Sequence, residues 1–138
     1  MSRILFAALV MTVLAVPARL LIAQEQLPGA ARNIDPLIVE WDSGPGKIDV
    51  SKYPPDIKRK YKTFEDLCAR CHPLARAVNC DFVLESDWER YIKRMMRRGR
   101  SLITPAQALE SYEFAVFDSK VRKRALYERR LKEQQGSN

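Results

Sequence analysis

The sequence has only one histidine, His72, among 138 residues. That excludes any centre needing two imidazoles from one subunit. Cysteines number three, and no second Cys-x-x-Cys pair or distant histidine completes a zinc tetrahedron. Five glycines and eight prolines are too few for a fibrous or low-complexity chain. No stretch alternates for long as a β-strand does, no internal repeat is visible, and the length excludes a large multidomain enzyme. No acid–base pair, nucleophile or substrate pocket stands out, so the chain reads as a non-enzyme. What is present is charge of one sign, with a formal net charge of +7. That is below the density of a dedicated nucleic-acid binder.

Residues 1–23 read as a secretory signal. Arg3 supplies a positive start, residues 4–16 form an apolar run, and Val16-Pro17-Ala18 or Ala23 offers a cleavage site. The run falls short of the about 20 residues a bilayer span needs, and Pro17 and Arg19 interrupt its continuation. The expectation is an exported, periplasmic domain, membrane-anchored if the leader is not cleaved. Residues 24–54 are punctuated by Leu27-Pro28-Gly29, Asp35-Pro36 and Gly44-Pro45-Gly46, and read as an extended lead-in.

Four helical stretches follow, making the class all-α. Over 55–70, Ile57, Tyr61, Phe64 and Cys68 recur on one helical face. Ser86-Asp87-Trp88-Glu89 reads as a capping box opening a helix with Trp88, Ile92 and Met95 on one side and Gly99 at its end. Thr104-Pro105-Ala106-Gln107 reads as a second box, with Ala108, Leu109, Tyr112 and Val116 inward. A charged helix over 119–133 carries Val121, Ala125 and Leu131 as a thin apolar line. Residues 55–118 read as one helical domain, with 24–54 as its lead-in and 119–138 as a charged helix and tail.

Cys68-Ala69-Arg70-Cys71-His72 is C-x-x-C-H, the c-type haem attachment signal. Two thiols can add across the two vinyl groups of one haem, and the adjacent His72 can bring its imidazole to the iron. A thioredoxin-like site would need a βαβ surround, which is not visible.

With this motif in place, the chain over about 53–117 resembles the small mono-haem class I c-type cytochromes. A helix with Tyr61-Lys62-Thr63-Phe64-Glu65-Asp66-Leu67 runs into the motif. After a loop come Trp88 to Met95, then Gly99, Ile103 and a capped helix ending in Phe114-Ala115-Val116-Phe117. The resemblance implies three to four helices around one covalently held haem c and single-electron transfer, as a free carrier or as the haem subunit of a larger oxidoreductase or reaction centre. A haem-based ligand sensor is the remaining reading. The resemblance also implies a methionine as distal ligand, and a proline carbonyl, here at Pro73, accepting the His72 Nδ1 proton; simple loop punctuation is the alternative for Pro73.

Beyond the leader only Met95 and Met96 remain as methionines. Met95 lies seven residues after Trp88, within roughly 20° of its face, whereas Met96 is roughly 80° away. Met95 is therefore the expected axial partner of His72, with Met96 and an open or lysine-bound site as alternatives. A thioether in apolar surroundings favours Fe(II) and a relatively high potential.

Arg76 and Asn79 read as solvated loop residues that could also reach a haem propionate. Trp88 is expected in the core or on the haem edge. Cys80 is expected as a buried apolar thiol, with an intermolecular disulfide as the alternative. Arg90, Lys93, Arg94, Arg97, Arg98 and Arg100 form one basic run. A second extends from Lys120 through Arg122, Lys123 and Arg124 to Arg129, Arg130 and Lys132. Each reads either as a solvated face or as a docking surface for an acidic redox partner or an anionic membrane.

Overall fold

The computed structural model describes residues 34–99 and 102–136. The leader, Arg100 and the last two residues lie outside the described residues. The described chain is all-α: α1 Pro36–Ser43, α2 Pro55–Cys68, α3 Leu74–Asn79, α4 Glu85–Gly99, α5 Pro105–Val121 and α6 Arg124–Gly136. Four of these helices, α2 to α5, begin in the span expected to hold three to four, with α1 ahead of it and α6 after it.

Helix α1 lies inside the segment read as extended. Asp35 caps it by accepting from the Leu37 N–H at 3.0 Å, and Pro36 occupies the first turn, where its missing N–H costs nothing. Helix α2 starts on Pro55 with Asp56 in its first turn and buries Ile57, Tyr61, Phe64 and Leu67. It ends on Cys68, so the attachment motif falls in the turn that follows.

Helix α4 begins one residue ahead of the expected box. Ser86 is inside the helix and exposed. Asp87 does the capping, accepting from the Leu84 N–H at 3.2 Å and contacting the Val83 N–H at 3.4 Å. The second box forms as expected: Thr104 Oγ1 accepts from the Gln107 N–H, and Gln107 Oε1 accepts from the Thr104 N–H.

Helix α5 buries a different face from the expected one. Ala108 is buried, but Leu109 is 56% exposed, and Tyr112 and Val116 are half-buried. The buried face is Ala108, Ser111, Phe114, Ala115, Asp118 and Ser119. Small side chains let α5 approach α2, and Phe114 fills the space between, 4.9 Å from the Phe64 ring and 5.0 Å from the Tyr61 ring. The single charged helix expected over 119–133 is instead divided between Val121 and Arg124, and α6 buries none of its residues.

Packing of α2 and α4 on α5, with α1 on α3, arranges the aromatic core. Trp88 is 2% exposed and edge-on to Phe64 and Tyr91.

Candidate haem-binding cavity

The turn after α2 leaves Cys71 exposed and His72 half-buried, while Cys68 is half-buried at the helix end. Burial pushes the Cys68 thiol up to about 12, with Cys80 and Cys71 nearby adding to the effect. Cys80 is 2% exposed, and burial raises its thiol too.

His72 has a defined tautomer. Its Nδ1 lies 3.0 Å from the Pro73 carbonyl, which can only accept, so Nδ1 carries the proton. In the neutral ring Nε2 then keeps its lone pair, and the Tyr91 hydroxyl donates to it at 3.1 Å. Burial raises the Tyr91 phenol, so it stays protonated and is a donor there.

These groups face one cavity of about 380 Å³. The turn and the end of α2 contribute Cys68, Cys71 and His72, with Phe64 and Leu67 behind them. Helix α4 contributes Met95 between Trp88, Tyr91 and Ile92, and α5 contributes Ser111. Ile38 and Trp41 of α1 form a further wall. Met96 packs against the core but is not on this cavity. Cys68, Cys71, His72 and Met95 are thus brought together, as the sequence grouped them.

Ser111 was not foreseen. Its residue is 1% exposed and its Oγ has no hydrogen-bond partner. An unpaired buried hydroxyl costs about 1–3 kcal/mol, so a cavity wall carrying one is suited to a ligand with a polar atom. The donor set also fits a c-type haem: two thiols, an imidazole whose Nε2 lone pair accepts from Tyr91, a thioether and largely apolar walls in one pocket. Among the described residues no cluster of three or more His, Cys, Asp or Glu could hold a bare metal ion.

Arg76 and Asn79 are not loosely solvated. Arg76 Nε donates to Asp42 Oδ1 at 2.8 Å and its Nη2 to Oδ2 at 2.5 Å. The Arg76 hydrogen bond holds the Asp42 carboxyl below its usual range. Asn79 Nδ2 donates to the carbonyls of Trp41, Pro45 and Ala75. Together they fasten α1 beside the cavity.

The second basic run is largely engaged internally rather than forming a free face. Lys120 pairs with Glu85, Arg122 with Asp118 and Arg130 with Asp81, and Lys123 donates to the Cys80 carbonyl at 2.5 Å. In the first run Arg90 and Lys93 pair with Asp87 and Glu89.

Among the described residues no helix is long and apolar enough to cross a membrane. In comparisons with known proteins the chain matches no family model, no curated protein and no solved structure.

Proposed function

We propose that this chain is an exported, periplasmic mono-haem c-type cytochrome that carries single electrons between redox partners, with a cytochrome c-like fold. The observation that carries the reading is the meeting of Cys68, Cys71, His72 and Met95 on one apolar cavity. Haem, when bound, supplies a one-electron iron couple.

The chain's own residues would then divide the work. Cys68 and Cys71 hold the macrocycle through thioethers, so it cannot dissociate. The Pro73 carbonyl keeps the His72 proton on Nδ1, so Nε2, which now accepts from Tyr91, would exchange that hydrogen bond for the iron as proximal ligand. Met95 is the distal thioether and favours the reduced state. Phe64, Leu67, Trp88 and Ile92 exclude water and limit reorganisation between oxidation states. A redox protein with an acidic surface is the partner that fits Arg97, off the cavity, and the net charge of +7. Nucleic acid is not expected.

A ligand-sensor role has one observation in its favour, the unpaired Ser111 hydroxyl inside the cavity. That reading requires a displaceable sixth ligand.

The test is the absorption spectrum of the exported protein. Covalent haem and a weak sulfur-to-iron band in the near infrared of the oxidised form are expected. Met95→Ala should abolish that band, lower the potential and open the iron to CO, whereas Met96→Ala should leave all three nearly unchanged. Absence of covalent haem sinks the proposal. Rapid CO binding by the unaltered reduced protein transfers the case to the sensor.

A further inference from the structure

The α4 face on the cavity is graded in polarity. At about 100° per residue, its lining residues fall on one arc of roughly 160°, in the order Arg94, Arg98, Tyr91, Met95, Trp88, Gly99, Ile92. Arg97 lies roughly 60° outside the Arg94 edge of that arc and is not on the cavity. One edge is therefore cationic, the middle carries the tyrosine hydroxyl and the thioether, and the far edge is apolar.

No Asp or Glu lines the cavity. Arg76, the third guanidinium on its wall, is taken by Asp42. Of the other polar groups facing it, His72 is bonded to Pro73 and Tyr91, and Ser111 is a neutral hydroxyl. Arg94 and Arg98, one turn apart, are exposed residues on the cavity lining and form no ion pair or hydrogen bond among the described residues. Two guanidiniums on an otherwise apolar pocket are suited to two carboxylates carried by an apolar ligand, because each planar fork can donate two hydrogen bonds to a carboxylate.

We propose that Arg94 and Arg98 form a dicarboxylate subsite that orients the cofactor, receiving its two propionates while the apolar edge lies toward Trp88 and Ile92. This rests on the haem reading and goes further by fixing which way the macrocycle enters. Arg94 and Arg98 then act as positioning residues flanking Met95, and Arg76 and Asn79 belong to the α1 attachment.

The experiment uses the full exported chain with haem attached. Resonance Raman spectra of the reduced protein report the propionate-bending band, which responds to hydrogen bonding at the carboxylates. The Arg94→Gln/Arg98→Gln double variant should shift that band and lower the midpoint potential. Each single variant should give about half the shift, which keeps the test decisive if the double variant does not mature. Arg97→Gln, the same charge change off the cavity, should leave the band in place. Lysine at both positions should restore much of the potential but not the band, since an ammonium keeps the charge without the fork.

An unmoved band in the glutamine variants overturns the proposal, as does an equal shift in Arg97→Gln. It is also overturned if only the ionic-strength dependence of oxidation by ferricyanide changes, because the arginines are then docking charges. A wild-type protein without covalent haem overturns the haem reading itself and is seen separately in the absorption spectrum.

Discussion

Two serines on one helix separate the two sides of this core. Ser119 is fully buried and fully paired: its Oγ accepts from Trp88 Nε1 at 2.9 Å and donates to the Ala115 carbonyl at 2.8 Å. Ser111, two turns earlier, is as deeply buried and has no partner. Around Ser119 the remaining polar groups are closed as well. Asp118 accepts from Tyr53 at 2.9 Å and from Arg122, whose guanidinium also reaches the Val78 carbonyl. Ser111 instead lines the cavity that Met95, Arg94 and Arg98 also line. Side chains alone satisfy the polar groups around Ser119, whereas the Ser111 hydroxyl on the cavity is left without a partner.

The largest effect should come from opening the closed side. Phe114 is completely buried and touches both Tyr61 and Phe64. Phe114→Ala should destabilise the holo protein by about 3–5 kcal/mol, from lost transfer energy and a cavity that rigid aromatic neighbours cannot close. Denaturant unfolding followed by far-ultraviolet circular dichroism measures it. A loss under about 1 kcal/mol would mean that the cavity side alone carries the fold.

The paired serines give the sharper contrast. Ser119→Ala leaves the indole N–H of Trp88 buried without an acceptor and should cost about 1–3 kcal/mol. Ser111→Ala removes a buried hydroxyl that no side chain satisfies, so it should not destabilise the chain and should stabilise it by up to about 1–3 kcal/mol. Equal losses from the two substitutions would erase the distinction between the sides. Parallel denaturant titrations of the two variants decide it.

How much of this was legible in the sequence follows from where polarity and burial agree. Helix α2 was readable because its buried residues are apolar and correctly spaced. The buried face of α5 was not, since Ser111, Asp118 and Ser119 sit where hydropathy places solvent, while Leu109 is left outside. Asp35-Pro36 is an N-cap followed by a first-turn proline, a signal for α1 masked by the surrounding glycines and prolines. Helix α3 has six residues and no side-chain cap, too little to show a period. For the site, the local motif brought Cys68, Cys71 and His72 together, and helical phase alone separated Met95 from Met96. Ser111 and the engagement of Arg76 by Asp42 depend on contacts between segments remote in sequence, which no local pattern carries.

The smallest expected effect is a pH dependence confined to the cavity side. Asp42 and Arg76 join α1 to α3 next to the walls formed by Ile38 and Trp41, whereas the Ser119 side is held by the separate Lys120–Glu85 and Arg122–Asp118 pairs. The Arg76 hydrogen bond lowers the Asp42 carboxyl below its ordinary 3.8 in the folded chain. A depressed folded value means that the pair's contribution is fully present above the ordinary value and is lost as pH falls through the lower one. Both side chains are about one-quarter exposed, at 24% and 28%, so solvent screening keeps the contribution at about 1 kcal/mol or less. Acidification should therefore speed amide exchange in α1 before it does so around Ala115 and Ser119. Asp42→Asn should make α1 exchange fast at neutral pH and remove its acid dependence, leaving the α5 amides as they were. Hydrogen exchange read by mass spectrometry distinguishes the two segments. If α1 and α5 lose protection together as the pH falls, the two sides unfold as one unit and the latch has no local role.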